Sequence, residues 1–369
     1  MNSAHTPLQA SKIWLIERCR ARYLWEIARD ESPDIPPNLW TTLGTAFHAI
    51  VLRRHWGSEG SAFAEFESEL RAEFRISLAK FPTVLALTNA VLANGDLLRA
   101  FQRVALLAKY RTAVTIVDSL PGPILPNKAE VDVFGPLSRQ HHLITGVFDS
   151  VSFLGEAIVI TEFKSGKIFE TQDGGDLIRK HWLQIMAYGY MMRTSKPTRR
   201  IILRVFGVDG GWERELTDNE NSDFEAIAQE FSKVVLDASK SDVSAAASPG
   251  AICESCLFRP RCTRYVEWAE ANWTEASMRM PLDIWGTIVG YTRDQRSATV
   301  TLRDSKSRLT RITGLPPENA VRLQPGEKFC GFELQTQETG RSHAHPQNFH
   351  ILDFARPMNT AFNSRVFTR

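Results

Sequence analysis

Apolar side chains recur at helical spacing along the first part of the chain. Residues 11–29 combine this spacing, at Ile16 for example, with many basic residues, and this predicts a helix. Residues 31–40 contain three prolines and predict a loop. Helices are predicted again over residues 44–56 and, as two or three shorter segments, over residues 60–111.

The pattern changes to strands after residue 128. Three stretches rich in β-branched and aromatic residues predict successive strands: AEVDVF, HLITGVFDSVSF and AIVITEFKSG. A helix is predicted over residues 177–193, the strand RRIILRVFGV follows it, and a further helix is predicted near residues 221–240. Strands that alternate with helices in this way indicate an α/β core.

Helical spacing is nearly absent after residue 280. Five strand-like stretches separated by turns occupy this region: DIWGTIVGYTR, SATVTLRD, SRLTRITGL, EKFCGFELQ and NFHILDFAR. Five strands in a short segment predict a small all-β barrel, and the OB-fold is the architecture that fits first. We therefore divide the chain into residues 1–279, with a helical insertion at about 58–120, and a β-domain at 280–369.

The composition is that of an ordinary folded protein. The 369 residues are 43% hydrophobic and 23% charged, with a net charge of +2. No apolar run approaches the ~20 residues that cross a bilayer, and the N-terminus lacks the pattern of a secretory signal. We expect a cytoplasmic location without membrane contact, where the five cysteines are reduced and their spacing indicates metal binding.

The main chemical signal is a predicted hairpin that carries two carboxylates and a lysine. The strands GVFDSVSF and AIVITEFK flank the turn Leu154-Gly155-Glu156. If the turn centres between Gly155 and Glu156, the numbers of paired residues sum to 311, and Asp149 then faces Glu162. Lys164 lies two residues after Glu162 and therefore on the same face.

This arrangement predicts phosphodiester hydrolysis. Two carboxylates can hold one or two Mg²⁺ ions that clamp the attacking water and the leaving oxygen. Lys164 can orient or deprotonate that water and offset the charge of the transition state. The alternative is a surface hairpin with a cross-strand ion pair, because Asp and Glu-x-Lys often occur together by chance.

Further residues stand in order around the hairpin. A glycine and a histidine precede it in LGTAFHAIVL, a glutamate lies on a predicted strand, and a glutamine and a tyrosine follow one helical turn apart. In this order the chain resembles the RecB-like branch of the PD-(D/E)XK nucleases. The matching positions are Gly44 to His48, Glu130, Gly146 to Asp149, Glu162 to Lys164, and Gln184 to Tyr188.

The resemblance implies a restriction-endonuclease-like core with helical additions and a nuclease that acts on DNA, single-stranded or with single-stranded ends, with Mg²⁺ or Mn²⁺. It implies metal binding for His48, Glu130, Asp149 and Glu162, catalysis for Lys164, and support of the site and the DNA for Gln184 and Tyr188. The branch includes CRISPR-associated exonucleases that trim spacer precursors and AddB-type repair nucleases. It thus implies DNA repair, CRISPR adaptation or antiviral (anti-phage) defence.

Two other functions stay open. One is a non-catalytic DNA-binding subunit of a helicase or defence complex, against which the intact Asp149, Glu162 and Lys164 argue. The other is a zinc-stabilised nucleic-acid-binding adaptor, which metal content would distinguish. The chain lacks a G-x-x-x-x-G-K-[ST] loop, so any unwinding must come from a partner such as a helicase.

Three cysteines are closely spaced in CESCLFRPRC: Cys253, Cys256 and Cys262. A four-cysteine zinc site usually has two close pairs, which this spacing fits poorly, although zinc and reduced thiols remain alternatives. Four thiolates also suit a [4Fe–4S] cluster. From the residues alone, the fourth thiolate can come from Cys19 or Cys330. Members of the same nuclease branch have one cysteine before the core and three after it, so the resemblance implies a cluster with Cys19 as fourth ligand. Cys330 is interpreted as a small buried residue of the β-domain.

The β-domain is more basic than the whole chain. Residues 281–369 contain 12 Lys and Arg against 8 Asp and Glu. Aromatic residues at Trp285, Tyr291 and Phe329 can stack bases or fill the barrel core. The side chains predicted to follow the phosphates are Arg293, Arg296, Arg303, Lys306, Arg308 and Arg311.

Overall fold

The structure, a computed structural model, describes residues 7–31, 33–35, 44, 59–77, 79, 107–108, 110–111, 114–115, 133–140, 143–171, 176–238, 242–272, 282–295, 298–303, 307, 309–315, 324–336, 352–357 and 366–368. These residues belong to two compact units. Unit 1 takes its residues from Met1–Glu31, Pro37–Ser77 and Leu98–Ala246, and unit 2 takes its residues from Ser32–Pro36, Leu78–Leu97 and Ala247–Arg369.

Unit 1 is built on a mixed sheet of six strands. They are β1 (Leu8–Gln9), β2 (Val133–Gln140), β3 (Ile144–Leu154), β4 (Ala157–Phe163), β5 (Arg200–Gly207) and β6 (Gly210–Glu215). The order is β1-β3-β4-β5-β6, and β2 pairs with β3. The β3–β4 and β5–β6 pairs are antiparallel hairpins, whereas β4 and β5 are parallel.

Helices cover this sheet. Unit 1 contains α1 (Trp14–Arg18), α2 (Arg20–Tyr23), α3 (Glu59–Ser77), α4 (Arg179–Ser195) and α5 (Asp218–Ala238). Helix α6 (Thr263–Asn272) belongs to unit 2. Helix α4 makes the crossover between the parallel strands β4 and β5 and packs against β3, β4, β5 and α5. Among the described residues we find no helix that could span a bilayer.

Strand β4 lies in the centre of this packing. Its sequence AIVITEF is buried at every position, as expected for a strand covered on both faces. Glu162 is one of the few charged side chains within this core, with 3% of its surface exposed.

The N-terminal helix is interrupted, contrary to the unbroken helix expected over residues 11–29. The backbone at Cys19 is extended, with φ of −161° and ψ of 100°, and it separates α1 from α2. A π-helical turn at Leu24–Ala28 follows. Because Leu15, Ala21 and Leu24 are all fully buried, tertiary packing accounts for a break that local periodicity does not predict.

The helices predicted over residues 44–56 lie outside the described residues, except for Gly44. Within the predicted insertion at 58–120, α3 is present, and short helical pieces occur at residues 107–115 where that segment is described. The predicted helices at 177–193 and 221–240 are confirmed, with small shifts, by α4 and α5.

Unit 2 contains a second sheet. Its strands are β7 (Leu282–Arg293), β8 (Ala298–Arg303), β9 (Leu309–Leu315), β10 (Lys328–Thr336), β11 (Leu352–Pro357) and β12 (Val366–Thr368). All five predicted strand-like stretches are strands, and β12 is an addition. The order is β11-β9-β8-β7-β10-β12, and β10 also pairs with β11.

The cysteine segment belongs to the same unit as these strands. Arg259 is 1% exposed, and its guanidinium donates to both carboxylate oxygens of Asp283 on β7, at 2.6 and 3.0 Å. The hydroxyl of Tyr265 donates to the same carboxylate at 2.7 Å. The predicted boundary between residues 279 and 280 falls in a stretch, 273–281, that is not described.

Candidate active site

The β3–β4 hairpin has the register that the sequence predicts. Its pairs run from Leu154 and Ala157 to Ser150 and Thr161, and their numbers sum to 311. The turn contains Gly155 with φ of 56°, a conformation that glycine adopts without strain. Continuing this register by one residue brings Asp149 opposite Glu162.

The sheet backbone positions both acidic residues. Oδ2 of Asp149 accepts a hydrogen bond from the backbone N–H of Phe163 at 2.8 Å. Glu162 lies in β4, between β3 and β5, and pairs with Val205. The backbone thus holds the Asp149 carboxylate directly, whereas for Glu162 it fixes the position of the residue in the central strand.

Lys164 directly follows β4 and stays within the sheet. Its backbone N–H donates to the carbonyl of Phe206 at 2.8 Å, which continues the pairing with β5. Its Nζ donates to Oε1 of Glu162 at 2.6 Å and to Oε1 of Gln184 at 2.7 Å. The ammonium thus lies in the same network as the Glu162 carboxylate.

Helix α4 supplies the other side of the network. Nε2 of Gln184 donates to Oε1 of Glu162 at 2.8 Å and to the Tyr188 hydroxyl at 3.0 Å. The hydroxyl of Tyr188 in turn donates to the carbonyl of Val147 on β3 at 2.7 Å. The Gln-x-x-x-Tyr spacing places the two side chains one turn apart, so that α4 connects β3 and β4 at this point.

The glycine of Gly-x-x-Asp has a packing role that the sequence did not reveal. A Cβ at Gly146 would lie 2.7 Å from Cε1 of Tyr188 and 3.0 Å from Cβ of Ala10. The Tyr188 ring also packs edge-to-face on Phe148, with centroids 4.7 Å apart. Gly146 therefore leaves the space that the Tyr188 ring occupies.

Burial and neighbouring charges shift the pKa values of Tyr188 and His181. Burial, followed by the charge of Glu162, raises the pKa of Tyr188 well above its ordinary value, so its hydroxyl stays protonated and can donate. Burial, followed by the charges of Lys164 and Lys180, lowers the pKa of His181 from 6.5 to about 3. His181 is therefore neutral near pH 7.

The donor set fits a hard divalent cation. Asp149 and Glu162 offer carboxylate oxygens, which Mg²⁺ and Mn²⁺ prefer. The other two predicted metal ligands, His48 and Glu130, lie outside the described residues. The described part of the chain has no group of three or more His, Cys, Asp or Glu residues placed to hold a metal ion.

The four cysteines of the predicted cluster lie within the described residues. Cys19, Cys253, Cys256 and Cys262 are all buried, and none of them is in a disulfide. Cys19 belongs to unit 1 and the other three to unit 2. The backbone N–H of Cys256 donates to the carbonyl of Cys253 at 3.0 Å, which gives a tight turn. The described residues do not by themselves form a cluster site.

The residues predicted to bind DNA are found in part. Arg293, Arg303 and Arg311 lie on β7, β8 and β9 and are exposed, while Arg296, Lys306 and Arg308 are not described. Of the aromatic candidates, Tyr291 is 46% exposed, whereas Phe329 is 1% exposed and belongs to the core. The side chain of Trp285 is not described.

Comparison with known proteins identifies the class. A family model of the PD-(D/E)XK nuclease superfamily matches residues 7–263, which include both hairpin carboxylates, Lys164, Gln184 and Tyr188. The chain belongs to the PD-(D/E)XK nuclease superfamily. Because members of this superfamily are usually nucleases, metal-dependent phosphodiester hydrolysis is the activity that membership indicates.

No curated protein matches the chain. Among solved structures, the chain is similar to one described as the crystal structure of SSO0001, with 12% identical residues, over 67% of this chain and 95% of that chain, at a TM-score of 0.23. At that score the likeness carries no argument about fold or activity.

Proposed function

We propose that this protein is a Mg²⁺- or Mn²⁺-dependent nuclease that hydrolyses phosphodiester bonds of DNA. The observation that carries the proposal is the hydrogen-bonded network of Glu162, Lys164 and Gln184, beside which the Asp149 carboxylate accepts from the backbone N–H of Phe163. This network argues against a simple surface ion pair. Glu162 is buried, and Gln184 and Tyr188 support it from helix α4.

Asp149 and Glu162 would hold the metal, together with His48 and Glu130 if these reach it. The bound cation supplies a Lewis acid for the phosphoryl oxygens and a more acidic water. Lys164 orients the attacking water and offsets negative charge on the phosphate. Gln184 holds the Lys164 ammonium at 2.7 Å, and its other amide atom holds Glu162 at 2.8 Å, so the two charges keep a fixed separation.

The experiment is cleavage of end-labelled DNA and RNA with Mg²⁺, Mn²⁺ or EDTA. Asp149→Ala and Lys164→Ala should abolish cleavage and keep the fold. Asp223→Ala and Lys196→Ala are the matched controls, because both side chains are exposed and far along the chain from the hairpin. Undiminished cleavage by Asp149→Ala or Lys164→Ala would remove the proposed site, and cleavage of RNA alone would overturn the choice of DNA.

The motif order supports a place in the RecB-like branch. The proposed settings are DNA repair, CRISPR adaptation or antiviral defence, with a helicase or another subunit supplying unwound DNA. Cleavage rates on single strands, on blunt duplexes and on duplexes with single-stranded tails test whether the protein needs unwound DNA. Preference for single strands and tails would support a partner that unwinds DNA, and equal cleavage of blunt duplexes would argue against that requirement.

We also propose a [4Fe–4S] cluster bound by Cys19, Cys253, Cys256 and Cys262. The spacing of the triplet and the burial of all four thiols support it. Protein purified without oxygen should contain iron and acid-labile sulfide, about four of each per chain. Cys262→Ala should lose the iron and Cys330→Ala should retain it. Colourless protein with one tightly held zinc would establish the zinc alternative.

For unit 2 we propose an OB-like barrel that binds single-stranded DNA. The pairing of β10 with both β7 and β11, beside the order β11-β9-β8-β7, supports a barrel. Replacing Arg293, Arg303 and Arg311 by alanine should lower the slope of log affinity against log salt by about 0.7 per contact. Arg264→Ala, an exposed arginine of α6, is the control. If the slope of log affinity against log salt is unchanged, these arginines do not contact DNA phosphates and unit 2 has a role other than binding single-stranded DNA.

A further inference from the structure

A second basic position lies on the helix face that carries the active-site support. Lys180 precedes Gln184 by one turn of α4, just as Gln184 precedes Tyr188, so these three side chains share one face. Because Gln184 bonds Nζ of Lys164 at 2.7 Å, this face is directed at the end of β4. Lys180 therefore belongs to the surroundings of the site, although no motif includes it.

The topology gives Lys180 a definite location. Helix α4 makes the crossover between the parallel strands β4 and β5, so its first turn lies at their carboxyl ends. In open α/β sheets, ligands bind outside the carboxyl ends of the strands. Lys164 directly follows β4 and Lys180 is the second residue of α4, so both ammonium groups lie at this edge.

The loop between β4 and α4 brings Lys167 to the same edge. His181, which is 8% exposed, forms a hydrogen bond with the backbone of Lys167. Asp209 holds the next residue, since its carboxylate accepts from the backbone N–H of Ile168 at 2.9 and 3.1 Å. This loop is consequently fixed against the start of α4, with Lys167 on the exposed side.

Glu162 pairs with Lys164 at this edge and the Asp209 carboxylate bonds the loop backbone, but neither carboxylate pairs with Lys167 or Lys180. Lys167 and Lys180 are exposed, and within the part of the chain that the structure describes no acidic side chain forms an ion pair with either. Arg179 differs, because it pairs with Glu17 at 2.7 Å. Desolvation, followed by the charge of Lys164, lowers the pKa of Lys180.

We propose that Lys180 and Lys167 bind the nucleic-acid phosphate next to the one that is cut. This rests on the proposed nuclease function. The positive ammonium groups of these lysines and Lys164 repel one another, and an anionic phosphate bound between them would attract all three. A lysine ammonium binds the non-bridging phosphate oxygens as a point charge. Contacts to phosphates fix the position of the nucleic-acid strand on the protein and do not depend on the base sequence. Lys164 acts at the scissile phosphate, whereas Lys167 and Lys180 position its neighbour.

The test is DNA affinity measured in EDTA, where no cleavage occurs, over a range of salt concentrations. Lys180→Ala should bind a labelled single strand about three- to tenfold less tightly at physiological salt, and should lower the salt slope by about 0.7. Lys167→Ala should act in the same direction and Lys180→Arg should retain binding. Lys196→Ala, directly after the same helix, should bind as the wild type does.

Kinetics with Mg²⁺ provide the second measurement. Lys180→Ala should raise KM much more than it lowers kcat. An unchanged affinity and slope would overturn the inference and leave the nuclease function intact. A loss in kcat alone would move Lys180 to the scissile phosphate and overturn the assignment to its neighbour. A wild-type protein that neither binds nor cuts nucleic acid would refute the proposed function and this inference together.

Discussion

Gly146→Ala is the substitution for which the structure makes the sharpest prediction. The added Cβ would lie 2.7 Å from Cε1 of Tyr188, 3.0 Å from Cβ of Ala10 and 3.3 Å from Cε of Met191. These neighbours are buried, and the Tyr188 ring is further confined by Phe148 at a centroid distance of 4.7 Å. The ring must move, and its hydroxyl moves with it.

Two contributions determine the magnitude. Overpacking in a well-packed core costs about 1–3 kcal/mol. Displacing the Tyr188 hydroxyl weakens its bonds to Gln184 and to the carbonyl of Val147, which contribute about 0.5–1.5 kcal/mol each. We expect a loss of about 2–4 kcal/mol in the free energy of unfolding. Because Gln184 positions Lys164 and Glu162, cleavage should slow by about 10- to 100-fold.

Denaturant unfolding and cleavage kinetics measure the two effects. Gly290→Ala is the control, because it replaces another strand glycine and its Cβ meets nothing within 4 Å. In a Tyr188→Ala background the cost of Gly146→Ala should fall by about 1 kcal/mol or more, since the ring is gone. A stable and fully active Gly146→Ala protein, or a cost that is the same with and without the ring, would refute this reasoning.

Three further substitutions test other buried groups in the two units. Arg259→Met should destabilise the protein by about 3–5 kcal/mol in denaturant unfolding, because it leaves the buried Asp283 carboxylate without its guanidinium. Tyr188→Phe should lower kcat and keep most of the stability, since the ring stays and the bond to Gln184 is lost. The pKa of His181 is lowered from 6.5 to about 3, so below pH 6.5 the unfolded chain binds a proton that the folded protein does not. Unfolding free energy should therefore fall as the pH drops from about 6.5 towards 3, and His181→Asn should remove that part of the slope.

The sequence predicted those features that depend on local pattern. The hairpin register followed from one turn and the two-residue period of strands, and the observed pairs from Leu154–Ala157 to Ser150–Thr161 have that register. The face shared by Gln184 and Tyr188 followed from helical spacing. In both cases the relevant distance along the chain is short, so periodicity alone determines which side chains meet.

Packing between distant elements could not be predicted in this way. The contact of Gly146 with Tyr188, the break at Cys19 and the pair of Arg259 with Asp283 depend on tertiary neighbours that no local period encodes. A signal for Lys180 was present, since it stands four residues before Gln184 on the predicted helix. Its significance required the crossover that brings the start of α4 to the end of β4.

The most direct test of the central claim compares wild-type protein with Glu162→Gln on end-labelled DNA, as Mg²⁺ or Mn²⁺ is added after EDTA treatment. This substitution keeps the size of the side chain and removes the charge that would hold a cation. A metal site at Asp149 and Glu162 predicts cleavage by the wild type only with metal, and a loss of at least about a hundredfold in the variant. Cleavage that is equally fast in the variant, or no metal-dependent cleavage by a folded wild type, would contradict it.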